Sequence, residues 1–213
     1  QPDIVHIHTC WEYQAATHAN WATKKQCAVV FSPHWELNER ARMTEQKYTK
    51  TVKPLLYQAK MVRGVDALLV SSEQERQDIL KLGWTKRIDI VQDSVLNSSL
   101  SDDDMALQTI SFYRKVLDTR YQFAMTAMEK DAIPSLLHVG LAQETTHNLL
   151  PSDQLLNLRS LNPEQWRRIF LYADDEGIRE IVDNCISRLQ LNAPTIDTAA
   201  IQRFPLFSPK ETT

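Results

Sequence analysis

The 213-residue sequence predicts an α/β fold: a partial Rossmann-like parallel sheet of about four strands with flanking helices, followed by an all-α C-terminal region. Three observations carry this. Short apolar runs alternate with helical periodicity through residue 91. Each run ends in polar residues, as strands that carry function at their C-terminal ends do. After Ser101 the strand signal fades and helix starts take over.

The first strand is Pro2-Asp3-Ile4-Val5-His6-Ile7-His8. It opens the chain with no preceding βα unit, although such a strand suits the middle of a sheet. The expectation is that the chain starts partway through a domain. Tyr13 to Lys25 is Ala-rich, with Ala15, Ala16, Ala19 and Ala22 at helical spacing. Ala28-Val29-Val30-Phe31, halted by Ser32-Pro33-His34, reads as a strand buried on both faces. From Asn38 to Arg63 the period is helical, with Val52, Leu55, Leu56, Ala59 and Val62 on one stripe. Pro54 predicts a kink or two helices.

Asp66 to Val70 is the third strand. Ser72 and Glu75 then have the spacing of a capping box, and Gly83 stops the helix after Ile79, Leu80 and Leu82. Ile88-Asp89-Ile90-Val91 is the fourth strand. Strands joined by helices of this length give a parallel sheet with right-handed crossovers.

In the second half, Ser101 followed by Asp102, Asp103 and Asp104 places a cap and negative charge at the positive end of a helix dipole. Its apolar stripe is Leu107, Ile110, Tyr113, Val116 and Leu117. Asn162-Pro163-Glu164 starts another helix, with Trp166, Ile169, Phe170 and Ala173 on one face. Ile178, Ile181, Val182, Cys185 and Leu189 mark a last one. The expected division is 1–100 α/β, 101–191 helical and 192–213 a loosely held tail, which holds three prolines and no periodicity.

Composition excludes several classes. A net charge of -3 argues against sequence-independent nucleic-acid binding. No apolar run reaches the length of a membrane span. The three cysteines, Cys10, Cys27 and Cys185, are too dispersed for a disulfide framework and read as thiols in a reducing compartment. That points to a cytoplasmic or membrane-peripheral location. His6 and His8 share a strand face that Cys10 could extend, and with His34 they raise a zinc site. The tighter spacing of structural metal sites speaks against it, so no metal is expected.

Four pieces in order resemble the N-terminal domain of glycosyltransferase family 4: residues 2–8, Val29 to His34, Val65 to Glu73, and Ile88 to Asp93. The match covers residues 1 to about 125, the latter part of that domain. The resemblance implies a retaining enzyme of the GT-B fold, in which two Rossmann-like domains face a cleft and the N-terminal one handles the acceptor. By that resemblance His34 lies near the transferred sugar, and His8, Ser72 and Glu73 line the same cleft. Trp11 and Trp35 suit apolar ring faces of a sugar.

The departures are specific. Trp35 stands where the family has glycine after "SPH", His8-Thr9 replaces "HxHG", and Asp93-Ser94 replaces "NG". The family's donor-side glutamate pair, eight positions apart, has no counterpart in these residues. Catalytic residues therefore stay unassigned, and no cofactor is expected. A nucleotide-sugar would be a substrate of a further domain. The expected partners are a sugar or glycan acceptor and, through the open edge of strand 3–8, a second copy or another chain. Two readings follow: a glycosyltransferase-like protein, or part of one, of polysaccharide or glycan assembly; or a non-catalytic interaction module built on half a GT-B scaffold. A metal-dependent hydrolase using His6, His8 and His34 is a third.

Overall fold

The computed structural model describes residues 2–39, 43, 53–94, 97, 99–142 and 150–205. The chain divides into two compact units, residues 1–119 with 203–213, and residues 120–202.

The first unit holds β1 (Ile4–Ile7), α1 (Tyr13–Lys24), β2 (Ala28–Phe31), α2 (Lys53–Gly64), β3 (Ala67–Val70), α3 (Glu73–Leu82), β4 (Ile88–Ile90) and α4 (Asp102–Thr119). The four strands form one parallel sheet in the order β1-β2-β3-β4, with Ile4 opposite Ala28, Val30 opposite Ala67 and Leu68 opposite Ile88. This is the predicted sheet. Among the described residues, β1 lies at one edge of it and pairs only with β2.

Side-chain alternation sorts the strands onto two buried faces. Ile7, Val29, Phe31, Leu68, Val70 and Ile88 pack with residues of α1, α2 and α3. Ala28, Val30, Ala67 and Leu69 face the other way and pack with Phe112 and Val116 of α4 and with Phe204. A parallel sheet needs cover on both faces, and here α4 supplies the second. That is why the first unit runs through Thr119. Phe204 is buried in the same layer, its ring edge-on to Phe112 and beneath the Lys115 ammonium. Phe204 thus anchors the chain at this point.

The α4 stripe differs from expectation. Tyr113, Val116 and Leu117 pack against the sheet with Phe112, but Leu107 and Ile110 are exposed. The sheet reaches only the C-terminal half of an 18-residue helix. Leu56 of α2 is likewise exposed, while Leu55, Ala59 and Val62 pack inward. The predicted kink at Pro54 lies at the edge of the described residues, where α2 is described from Lys53. Val52 lies outside the described residues.

A buried guanidinium closes α2. Arg87 donates to the carbonyl of Arg63 (3.4 Å), in the last turn of the helix, and to those of Val65 (3.0 Å) and Asp66 (2.8 Å) just after it. The Asp66 carboxylate accepts the Val29 N–H at 2.7 Å, tying the start of β3 to β2.

The second unit holds α5 (Tyr121–Ala124), α6 (Ala127–Leu141), α7 (Ser152–Ser160), α8 (Pro163–Asp175) and α9 (Arg179–Leu189), with a 3-10 turn at Thr198–Ala200. Its core includes Trp166, Phe170, Leu136, Val139, Val182 and Cys185. The Asn162 cap forms as predicted, accepting the Gln165 N–H at 2.9 Å, and the Gln165 side chain answers to the Asn162 N–H at 2.9 Å.

Candidate functional site

In a parallel sheet every strand ends on the same edge, so the loops after β1, β2 and β3 converge. They bring together His8, His34, Trp35, Ser71 and Glu75. Period-two alternation sets the first element: His6 and His8 point to one face of β1 and stack at 4.1 Å between ring centroids. His34, from the loop after β2, stacks on His8 at 5.3 Å. Its Nε2 lies 3.0 Å from His8 Nδ1, so one ring donates an N–H and the other accepts it.

His6 is the buried base of this column. Its Nδ1 is 2.6 Å from the Tyr113 hydroxyl and its Nε2 is 2.8 Å from Ser32 Oγ, so both nitrogens are satisfied by a neutral ring. Burial, then the neighbouring His8 and His34, lower its pKa to about 4. Burial and His34 also lower that of His8. The exposed pair above it keeps two ring nitrogens, His8 Nε2 and His34 Nδ1, without a partner among the described residues. A neutral imidazole pair can offer both a donor and an acceptor to a hydroxyl group.

The depressed His6 pKa makes stability depend on pH. The unfolded chain takes up a proton on this residue below about 6.5, while the folded chain resists until about 4. Stability is therefore full above pH 6.5 and falls as pH drops through that window. After allowance for the ring's contact with water, the loss is about 2 kcal/mol. Denaturant midpoints measured from pH 7 to pH 4 should show this decline, and His6→Asn should flatten it. An unchanged slope in the variant would assign the decline to other groups.

The loop after β2 adopts a backbone that favours glycine. His34 and Trp35 have φ of 46° and 67°, and Trp11 in the loop after β1 has 61°. For bulky residues such values cost roughly 1–3 kcal/mol each unless neighbours hold them. They are held. The Trp35 N–H donates to Glu75 Oε1 at 2.6 Å, and its indole Nε1–H donates to Ser71 Oγ at 3.1 Å. The Trp11 N–H donates to Gln58 Oε1 at 2.8 Å, its Nε1–H to the Glu36 carbonyl at 3.2 Å, and its carbonyl accepts the Tyr57 hydroxyl.

Ser72 caps α3 by accepting the Glu75 N–H at 3.2 Å. The predicted capping box closes only halfway. The Glu75 carboxylate reaches past the cap to the Ser71 N–H (2.9 Å) and hydroxyl (3.1 Å), and across to Trp35. Glu73 is exposed and turned along its own helix, pairing with Arg76 at 3.1 Å and accepting from Gln77. Thus His8, His34 and Trp35 meet, Ser72 borders them as a cap, and Glu73 bonds within its own helix. Sequence reasoning missed Glu75 as a loop ligand because its spacing from Ser72 already had an explanation.

Cys10 does not extend the histidine column. It is buried, its Sγ 3.7 Å from the Pro33 carbonyl, and burial with the nearby Glu36 and Glu75 carboxylates pushes its pKa up. Among the described residues no group of three or more His, Cys, Asp or Glu is placed to hold a metal ion. No described helix is long and apolar enough to cross a membrane.

The family model of the glycosyl transferase 4-like domain matches residues 1–92. The matched stretch contains all four strands and every residue of the convergent edge, while Tyr113, which bonds to His6, lies beyond it. No curated protein and no solved structure matches the chain.

Proposed function

On the premise that residues 1–92 form a glycosyltransferase family 4 N-terminal segment, we propose that this chain contributes the acceptor-side wall of a glycosyltransferase of polysaccharide or glycan assembly. The observation that carries the reading is the exposed His8–His34 pair beside the fixed Trp35 indole, where three parallel strands end. Sugar hydroxyls pair with neutral donors and acceptors, and the less polar face of a pyranose packs on indole. His8 and His34 would bind and orient an acceptor hydroxyl, with Trp11 and Ser72 at the borders. A neutral imidazole is also suited to taking the proton of an attacking hydroxyl. In this reading the donor's diphosphate is held by a further domain, since transfer requires stabilising its charge as it leaves. The location is cytoplasmic or peripheral to a membrane.

The second reading is an interaction module without catalysis. It is favoured by β1 standing at the edge of the described sheet, where unpaired backbone groups invite another strand. In that case a second copy or a partner chain pairs along residues 3–8.

Saturation-transfer NMR with methyl glucoside, methyl galactoside and methyl mannoside separates the two. The acceptor reading expects millimolar binding of at least one glycoside, weakened at least tenfold in His8→Ala and His34→Ala. No binding by the wild-type chain, together with dimers in sedimentation velocity that β1 edge substitution Val5→Pro abolishes, would sink it in favour of the second.

A further inference from the structure

We infer that Glu75 is a positioning residue: its carboxylate fixes the loop after β2 so that His34 meets His8 and Trp35 presents its indole at the sheet edge. The consequence for binding rests on the acceptor-site reading above, whereas the geometry stands without it.

Helix α3 is capped by the Ser72 hydroxyl through the Glu75 backbone, which needs no particular side chain at residue 75. Yet the Glu75 side chain is almost wholly buried, and burying a carboxylate is unfavourable unless donors surround it. Three donors do: the Trp35 N–H at 2.6 Å, the Ser71 N–H at 2.9 Å and the Ser71 hydroxyl at 3.1 Å. Two of these donors belong to Ser71 at the end of β3, and the third crosses from the loop after β2.

That third bond falls where the backbone is strained. His34 and Trp35 are consecutive left-handed residues, a conformation that a tryptophan leaves readily when nothing holds it. Glu75 grips Trp35 twice, directly at its N–H and through Ser71, whose hydroxyl accepts the indole N–H and donates to Glu75. A charge-assisted bond is about twice as strong as a neutral one, which suits a carboxylate to this task. The residue that Glu75 holds is next in the chain to His34. Releasing Trp35 to φ below zero swings the His34 ring off its 3.0 Å partner on His8. The site thus depends on a helix residue whose side-chain hydrogen bonds go to Trp35 and Ser71 and not to either imidazole.

The test uses the full chain carrying Glu75→Ala or Glu75→Gln, with Ile79→Val as a control that weakens the same helix inside the core. Long-range proton–nitrogen NMR reads the imidazoles, and amide exchange reads the Trp35 indole N–H. The proposal expects Glu75→Ala to average the two His34 ring nitrogens and to speed exchange of that indole N–H at least tenfold. His6 signals and helical circular dichroism stay as in the wild type. Glu75→Gln lies between, because its NH₂ group must face one of the donors. Ile79→Val leaves both signals unchanged. Wild-type His34 and Trp35 signals in Glu75→Ala would overturn the proposal. If that variant does not fold, unchanged signals in Glu75→Gln overturn it instead. The glycoside titration adds a separate readout: at least tenfold weaker binding in Glu75→Ala supports the positioning role. A wild type that binds no glycoside ends the acceptor reading, while the imidazole signals still decide the role of Glu75.

Discussion

Gly140→Ala is expected to destabilise residues 120–202 by about 3 kcal/mol or more, a fall in Tm of at least ~12 °C for a unit of this size. The sign is the informative part. Gly140 lies near the end of α6, and glycine-to-alanine in an exposed helix stabilises by about 1 kcal/mol. Here a Cβ would sit 2.2 Å from the Ile181 carbonyl oxygen and 2.6 Å from its side chain, on helix α9. A backbone atom cannot rotate aside, so α6 and α9 must separate. Separation also breaks the bonds by which α9 closes the end of α6: Asn184 Nδ2 to the Gly140 carbonyl at 2.8 Å, and Arg188 to the carbonyls of Val139 (3.1 Å) and Ala142. Thermal melts followed by circular dichroism measure it. A Tm within about 3 °C of wild type would mean that the two helices part at little cost.

Arg168→Ala should be comparably damaging, at about 3–5 kcal/mol, because it leaves an uncompensated buried charge. Glu129 is completely buried at the start of α6 and accepts from the Thr126 N–H and hydroxyl, both at 2.8 Å. Arg168 of α8 approaches it side-on, Nε to Oε1 at 2.7 Å and a second nitrogen to Oε2 at 3.2 Å. The pair fastens the first turn of α6 to the middle of α8. Replacing both partners removes the penalty, so the double variant Glu129→Gln/Arg168→Met should recover much of the loss. Urea denaturation of the single and double variants gives the comparison. Equal destabilisation in both would show that packing around the pair, rather than the stranded carboxylate, sets the cost.

Much of the first unit was legible in the residues. Ala28 to Phe31 and Ala67 to Val70 are apolar without alternation, which fits strands covered on both faces, and both are so covered. Gly83 ends α3 at φ 66°, as its position after the apolar stripe implied. The Asn162-Pro163 start was legible for the same reason: capping is a local hydrogen-bond problem with a local solution. Helix α6 was not. Pro134 in its interior and a weakly amphipathic pattern hide it, and its capping pair Thr126 and Glu129 gains meaning only with Arg168 in place.

The site divides in the same way. That His6 and His8 share a face follows from strand period, and the likeness to glycosyltransferase family 4 pointed to His34. Their meeting does not follow from either, because residues 26 apart are brought to 3.0 Å by sheet register and by the turn after β2. By itself the sequence determined the four parallel strands, their polar ends and the family to which residues 1–92 are matched. Periodicity, caps and breakers act within a few residues, and those signals survive in the linear chain. Only the tertiary structure decided that α4 covers the second face of the sheet, that Tyr113 seats His6, and that Glu75 leaves its capping role to hold Trp35. Each of these joins residues at least 40 positions apart. Such partners are chosen by which buried donors and acceptors remain to be satisfied once the sheet has formed.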